Sequence, residues 1–138
     1  MHLACHGHVD LEHPRLTGLV LAGGEVLTLD EIYRLPLRAD LAVLSACRSG
    51  VGAVVNGEGV IGLVRGFLFA GSPQVVVSNW RVDDAGTSRF MESFYRRMVT
   101  GGEPAGRALR AAKLERLRAG GPEAHPFHWA SFVLWGAR

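Results

Sequence analysis

The chain has 138 residues, of which 48% are hydrophobic, and a formal net charge of +2. This length suits one globular domain with a substantial core, and the small charge with only 8% aromatic residues argues against a nucleic-acid-binding protein. The most apolar stretch, GVIGLVRGFLFAG, is interrupted by Arg65 and by glycines, which makes it too short and too broken to cross a bilayer.

The first half of the chain consists of short β-rich runs separated by turn residues. The stretch MHLACHG is predicted to form the first strand, and GLVLAGG with EVLTLDEI is predicted to form a hairpin around Gly23 and Gly24. The run ADLAVLSA is almost continuously apolar, which is typical of a strand buried on both faces.

The second half alternates helices with strands. Residues 57 to 70 are predicted to be helical, QVVVSNW to be another buried strand, and HPFHWASFVLWG to supply the last strand. Asp83 and Asp84 can cap a helix that ends at Gly101. The apolar stripe of that helix consists of Phe90, Met91, Phe94, Tyr95 and Met98.

A last helix is predicted from its periodicity, with Pro104 in its first turn. Its inward-facing residues are Ala105, Ala108, Leu109 and Ala112, and its outward-facing residues are Arg107, Arg110, Lys113 and Arg116. Strands that alternate with helices predict an α/β fold with a mainly parallel sheet covered on both faces. Because the first strand begins at residue 1, we expect residues 1–138 to be the C-terminal portion of a larger unit.

Cysteine usage bears on the compartment. The chain has two cysteines and no basic segment ahead of an apolar core at its N-terminus, so no export signal is recognised. These features favour free thiols in a reducing compartment, and we expect a cytoplasmic protein.

Two strands end in residues that suggest chemistry. The first ends in His6-Gly7, and the run ADLAVLSA leads to Cys47 in a Gly-rich turn. Because the carboxyl ends of neighbouring parallel strands meet at one edge of a sheet, the imidazole and the thiol are expected to face each other. Side chains alternate along a strand, so Cys5 points away from His6 and is expected to be a small packing residue.

The motifs HLACHG, LSACRSG, GEGVIGLVRGFLFAG, VVVSNWRVDD and HPFHWASFVLWG occur in this order along nearly the whole chain. Together they closely resemble the successive motifs of CHAT domains, bacterial relatives of the caspase-type cysteine peptidases. The resemblance implies a caspase-like three-layer sandwich with a mainly parallel sheet, here lacking its N-terminal strands.

The resemblance also implies a mechanism and a function. Cys47 would be the nucleophile and His6 its partner in a dyad, and the backbone N–H groups of Gly7 and Cys47 would form the oxyanion hole. The implied activity is a cysteine endopeptidase that cleaves protein or peptide substrates through a thioester, without a cofactor or metal. A regulatory repeat or sensor domain is expected outside this chain.

Five further residues are candidates for substrate binding because they follow predicted strands near the same edge: Glu58, Trp80, Arg81, Asp83 and Asp84. The structural alternative is that Trp80 packs and an aspartate caps a helix. The acids would favour a basic residue before the cut bond, whereas Arg48 or Arg81 would favour an acidic one. The sequence leaves this choice open.

Three other interpretations compete. Cys5, His6, His8 and His13 suggest zinc, but no Cys-x-x-Cys pair completes a site. Gly57 to Gly62 fits G-x-G-x-x-G and Asp83 follows about 20 residues later, as in a dinucleotide-binding Rossmann domain, but the strong strand ends too early. We interpret these glycines instead as a loop over the active site and as close packing of the next helix on the sheet. The third interpretation is a non-catalytic or truncated CHAT interaction module.

Overall fold

The computed structural model of the chain describes residues 1–10, 12–45, 58–80 and 84–136, except for the side chains of Glu58, Asp84 and Ala85. In chain order its strands are β1 (His2–Leu3), β2 (His6–His8), β3 (Gly18–Val20), β4 (Val26–Thr28), β5 (Ala42–Leu44), β6 (Gln74–Ser78) and β7 (Phe132–Gly136). Its α-helices are α1 (Leu29–Ile32), α2 (Glu58–Phe69), α3 (Asp84–Tyr95) and α4 (Ala105–Ala119). A π-helical segment, Arg96–Thr100, extends α3.

The main sheet has the strand order β1-β5-β6-β7. The first three strands are parallel, with Leu3 opposite Leu44 and Leu44 opposite Val77, and β7 runs antiparallel to β6. The predicted α/β fold with a mainly parallel sheet is therefore confirmed. No helix among the described residues is long and apolar enough to span a membrane.

A second sheet, of three antiparallel strands, has the order β2-β3-β4. Its β3–β4 hairpin is the one predicted around Gly23 and Gly24. The single first strand predicted for MHLACHG is wrong, because the chain pairs with β5 only up to Leu3 and then leaves the main sheet to pair with β3 as β2. Since β5 ends at Leu44, the backbone groups beyond Leu3 find their hydrogen-bond partners on β3 instead.

The main sheet is covered on both faces, as the alternation of its side chains requires. Val43 and Val76 point to one face, where they pack with Phe90, Phe94 and residues of α4. Ala42, Leu44, Val75 and Val77 point to the other face, where they pack with α2 and with Ile32 of α1. This arrangement gives three layers with one core on each side of the sheet.

The packing of α3 and α4 follows the predicted stripes closely. Phe90 and Phe94 are fully buried, and the ring of Phe90 stacks on that of Phe132 with centroids 4.9 Å apart. The four residues predicted to face inward on α4 are buried. Two details differ from the prediction. Pro104 occupies the N-cap position, one residue before α4 begins, instead of its first turn. Lys113, predicted to face outward, is half-buried, and this burial lowers the pKa of its ammonium group.

The glycines of α2 pack differently from the prediction that they bring this helix close to the sheet. A Cβ atom at Gly66 would lie 3.0 Å from Cγ2 of Ile32, and one at Gly62 would lie 3.2 Å from Cδ1 of Leu29. Both neighbours belong to α1, whose start is fixed by a capping box between Thr28 and Glu31. The glycines therefore bring α2 close to α1.

We predict that Phe94→Ala destabilises the protein by about 3–5 kcal/mol, because it empties a fully buried position between α3, α4 and the sheet. Chemical denaturation would measure the loss. Phe69→Ala is the matched control, since Phe69 is 75% exposed and its loss should cost well under about 1 kcal/mol. Equal losses for both variants would contradict this account of the core.

A second prediction concerns Glu115, whose Oε2 accepts hydrogen bonds from Ser93 Oγ at 2.7 Å and from Arg97 at 3.0 Å. These bonds lower the pKa of its carboxyl from 4.5. A lowered carboxyl pKa gives stability that is present above the unfolded pKa and is lost as the pH falls toward the folded one. Between neutral pH and about pH 3 the melting temperature of Glu115→Gln should therefore fall less than that of the wild type. If the melting temperatures of the two proteins fell equally over this pH range, the stabilising role of the Glu115 carboxylate would be refuted.

Candidate active site

The ends of three strands bring the candidate site together at one rim of the main sheet. The strands β1, β5 and β6 are parallel, so the residues after Leu3, Leu44 and Ser78 lie at the same edge. The backbone N–H of Ser45 donates to the carbonyl of Leu3 at 3.0 Å, which extends the β1–β5 ladder to this rim. Chemistry in open α/β sheets collects at such a rim.

His6 lies in β2, opposite Val20, and its side chain is exposed. It lines a cleft of about 840 Å³ that we call the His6 cleft, whose other walls come from β1, the β2–β3 region and α3. Its polar lining includes His2, Ser45, Thr87, Glu92 and Tyr95. The imidazole is thus available to a molecule that enters from solvent.

Cys47 lies outside the described residues. The described chain after β5 ends at Ser45, which precedes Cys47 by two residues and lines the His6 cleft together with His6. The strand that leads to the cysteine and the segment that carries the histidine therefore reach the same cleft.

The two strand ends are joined by a side-chain contact. Nε2 of His2 is hydrogen-bonded to Oγ of Ser45 at 2.9 Å, and the imidazole lies against the ring of Tyr95 with centroids 5.6 Å apart. Burial, and secondarily the nearby N-terminal ammonium group, lower the pKa of His2. A neutral imidazole at position 2 therefore links β1 to the residue that follows β5.

Cys5 is a free thiol with a packing role. Its half-buried side chain packs against the core cluster around Leu44, as expected for a filler, and also forms part of the wall of the His6 cleft. Burial raises the pKa of the thiol. Since the thiolate is the nucleophilic form, Cys5 is a poor nucleophile at neutral pH.

Gly7 lies beside a second, smaller cleft of about 290 Å³, which we call the interlayer cleft. Its walls are mainly apolar and include Leu44, Val60 and Val77. A Cβ atom at Gly7 would meet nothing within 4 Å, so packing does not require a glycine there. The open space leaves the backbone of Gly7 accessible to a ligand.

The predicted substrate-binding residues are described only in part. Arg81, Asp83 and the side chains of Glu58 and Asp84 lie outside the described structure. Trp80 is 37% exposed, but its Nε1 donates to the carbonyl of Phe127 at 2.9 Å, and it belongs to the walls of neither cleft. This contact matches the packing alternative for Trp80.

The structure also bears on the zinc and dinucleotide interpretations. Among the described residues, no three His, Cys, Asp or Glu side chains form a group that could hold a metal ion. For the dinucleotide alternative, β5 ends at Leu44 and α2 begins at Glu58, so these two elements do not form the tight strand-to-helix turn of the fingerprint.

The wall that α3 contributes to the His6 cleft was not anticipated. It consists of Thr87, Ser88, Met91, Glu92 and Tyr95. These residues form two adjacent rows at i, i+4 spacing, Thr87-Met91-Tyr95 and Ser88-Glu92, and this spacing is visible in the sequence. Tyr95, predicted as part of the core-facing stripe, packs against the core cluster and is half-buried, and it also lines the cleft.

Comparisons with known proteins identify a family and two similar proteins. A family model described as the CHAT domain matches residues 1–137. Tetratricopeptide repeat protein 28 of Homo sapiens is 33% identical over 124 residues, which cover 90% of this chain and 5% of that protein. The Mus musculus protein of the same name is 31% identical over 112 residues, which cover 81% of this chain and 4% of that protein.

Both relatives are mammalian, so similarity to this chain is not confined to bacteria. The chain spans about one twentieth of the length of these relatives. The family match extends over essentially the whole chain, including both strand ends that form the candidate site. The chain belongs to the CHAT domain family, whose general context is the caspase-like peptidase clan.

Proposed function

We propose that this CHAT domain is a caspase-like cysteine endopeptidase with His6 and Cys47 as its catalytic dyad. The observation that best supports the proposal is that one cleft is lined both by His6, the first residue of β2, and by Ser45, which follows β5 and precedes Cys47 by two residues. The membership in a peptidase-related family supports it independently.

The reaction begins with the Cys47 thiolate, which the neighbouring imidazolium of His6 stabilises. Its sulfur attacks the carbonyl carbon of the peptide bond, and the carbonyl oxygen becomes an oxyanion. The backbone N–H groups of Gly7 and Cys47 donate hydrogen bonds to this oxyanion. The open space beside Gly7 would allow a substrate backbone to approach it closely.

The C–N bond then breaks, and His6 gives its proton to the departing amine. The acyl group remains on Cys47 as a thioester. A water molecule, deprotonated by His6, attacks the thioester carbon and releases the carboxylic acid and the thiolate. We propose a dyad rather than a triad, as expected from the sequence; among the described residues no carboxylate pairs with His6.

The proposed substrate is a protein or peptide chain. His6 is exposed and the cleft opens to solvent, so an extended segment of another chain can reach the dyad. We further propose that the reaction takes place in the cytoplasm, where a reducing environment keeps the catalytic thiol free.

We propose that regulation comes from a repeat or sensor domain outside residues 1–138. The two relatives are named for tetratricopeptide repeats, and this chain matches only a small share of their length. We also propose that residues 1–138 are the C-terminal portion of the catalytic unit. Among the described strands β1 pairs only with β5, which leaves its other edge available to further strands.

A non-catalytic interaction module is the second candidate function. The observation that favours it is the printed name of both relatives, which refers to repeats and to no peptidase activity. In such a module the fold of the family would be retained, but the thiol of Cys47 would not be activated. The reactivity of Cys47 distinguishes the two candidates.

We predict that iodoacetamide at mildly acidic pH alkylates Cys47 at least about tenfold faster in the wild type than in His6→Ala, because each unit of pKa lowering raises the thiolate fraction about tenfold. Peptide mass spectrometry would follow Cys47 and Cys5 separately. Cys5 should react slowly in both proteins, because burial raises its pKa.

His8→Ala is the matched control for this experiment. It removes an exposed imidazole two residues away that lines the interlayer cleft rather than the His6 cleft. It should leave the alkylation rate of Cys47 unchanged. Equally slow labelling of Cys47 in all three proteins would favour the interaction module.

A further inference from the structure

The His6 cleft has an acidic and hydroxyl-rich lining. Glu92 is the only carboxylate among its described lining residues, and no lysine or arginine is among them. Hydroxyl groups come from Ser45, Ser78, Thr87, Ser88 and Tyr95. The interlayer cleft differs because its described walls are mainly aliphatic and carry no acid.

Two of these hydroxyl groups lack a partner within the described structure. Oγ1 of Thr87 and the hydroxyl oxygen of Tyr95 are buried atoms with no hydrogen bond among the described residues. Burial raises the pKa of Tyr95 to about 12, so its hydroxyl stays protonated. Buried polar groups in proteins are normally satisfied, so these two oxygens beside one cleft have hydrogen-bonding capacity left for a bound molecule.

The carboxylate of Glu92 is not neutralised by its neighbours on α3. Arg89, one turn before it, pairs with Glu123, and Arg96, one turn after it, pairs with Glu115. No hydrogen bond or ion pair to Glu92 itself occurs within the described part of the chain. The lowered pKa of His2 leaves that lining imidazole neutral at pH 7.

We propose that the His6 cleft binds a basic side chain of the substrate, lysine or arginine, at the residue before the cut bond, and that Glu92 selects it. This inference rests on the proposed peptidase function. The charged head group would donate to the Glu92 carboxylate and to the two unpartnered hydroxyl oxygens. Its methylene stem would lie against the apolar wall formed by Val20, Leu21 and Met91.

This assignment resolves the choice that the sequence leaves open. Sequence reasoning offered Glu58, Asp83 and Asp84 as acids near the site, with Arg48 or Arg81 in opposition. Glu92 was not among them, although it is the acid that lines the cleft shared by His6 and Ser45. Specificity would thus depend on α3, the second helix after β5 in the chain.

Cleavage of matched peptides tests the selectivity. The peptides differ only in the residue before the cut bond, which is arginine, lysine, glutamine, leucine or aspartate. The wild type should cleave the arginine and lysine peptides with a kcat/KM at least about tenfold above that of the glutamine peptide. Glu92→Gln should abolish this preference by raising KM for the basic peptides, with little change for the glutamine peptide.

Two variants separate binding from folding. Tyr95→Phe should raise KM for the basic peptides without lowering the melting temperature, because it removes a hydroxyl that has no partner in the described structure. Glu12→Gln is the control, since it removes an exposed carboxylate that lines neither cleft, and it should leave the preference intact.

Binding of the arginine and glutamine peptides to a Cys47→Ala protein provides a readout that needs no turnover. If Glu92→Gln weakens binding of the arginine peptide about tenfold, the inference is supported even when no peptide is cleaved. In that case the proposed peptidase function is wrong, but the assignment of the binding site stands. A preference for aspartate or leucine, or binding indifferent to Glu92, would overturn the inference while leaving cysteine reactivity to decide the peptidase function.

Discussion

The parallel pairing of β1 with β5 is the constraint on which the rest of the site depends. It places Leu3 opposite Leu44 and continues through the hydrogen bond from Ser45 to Leu3. The contact between His2 and Ser45 adds a side-chain link at the same level. This pairing fixes where the segment carrying His6 lies relative to β5. A slip in its register would therefore separate that segment from the strand that leads to Cys47.

The sequence predicted the layers well because local periodicity reflects burial. The continuous apolar runs ADLAVLSA and QVVVSNW indicate strands buried on both faces, and the stripes of α3 and α4 indicate which of their side chains reach the core. The break between β1 and β2 could not be predicted in the same way, since it depends on where β5 ends, a non-local fact. Likewise, Gly62 and Gly66 predict that another element packs closely against α2, but the sequence does not indicate that this element is α1.

The candidate site was only partly predictable from the sequence. His6 and Cys47 were predicted from their places after apolar runs in the sequence, whereas Glu92 and Tyr95 lie within a helix whose stripe resembles an ordinary core face. The two i, i+4 rows on α3 carried the signal, but deciding that they face a cleft requires knowing that the sheet rim leaves space there. Periodicity shows which face of a helix is different, and tertiary packing decides what that face contacts.

One fold thus brings together the β1–β5 ladder, the exposed imidazole of His6 and the face of α3 that carries Glu92. The central claim is that His6 activates the thiol of Cys47. A thiolate absorbance titration in a Cys5→Ala background, with and without His6→Ala, tests it most directly. The account predicts a Cys47 pKa clearly below the ordinary value of about 8.5, returning toward that value when His6 is removed. An ordinary pKa that is the same in both proteins would contradict it.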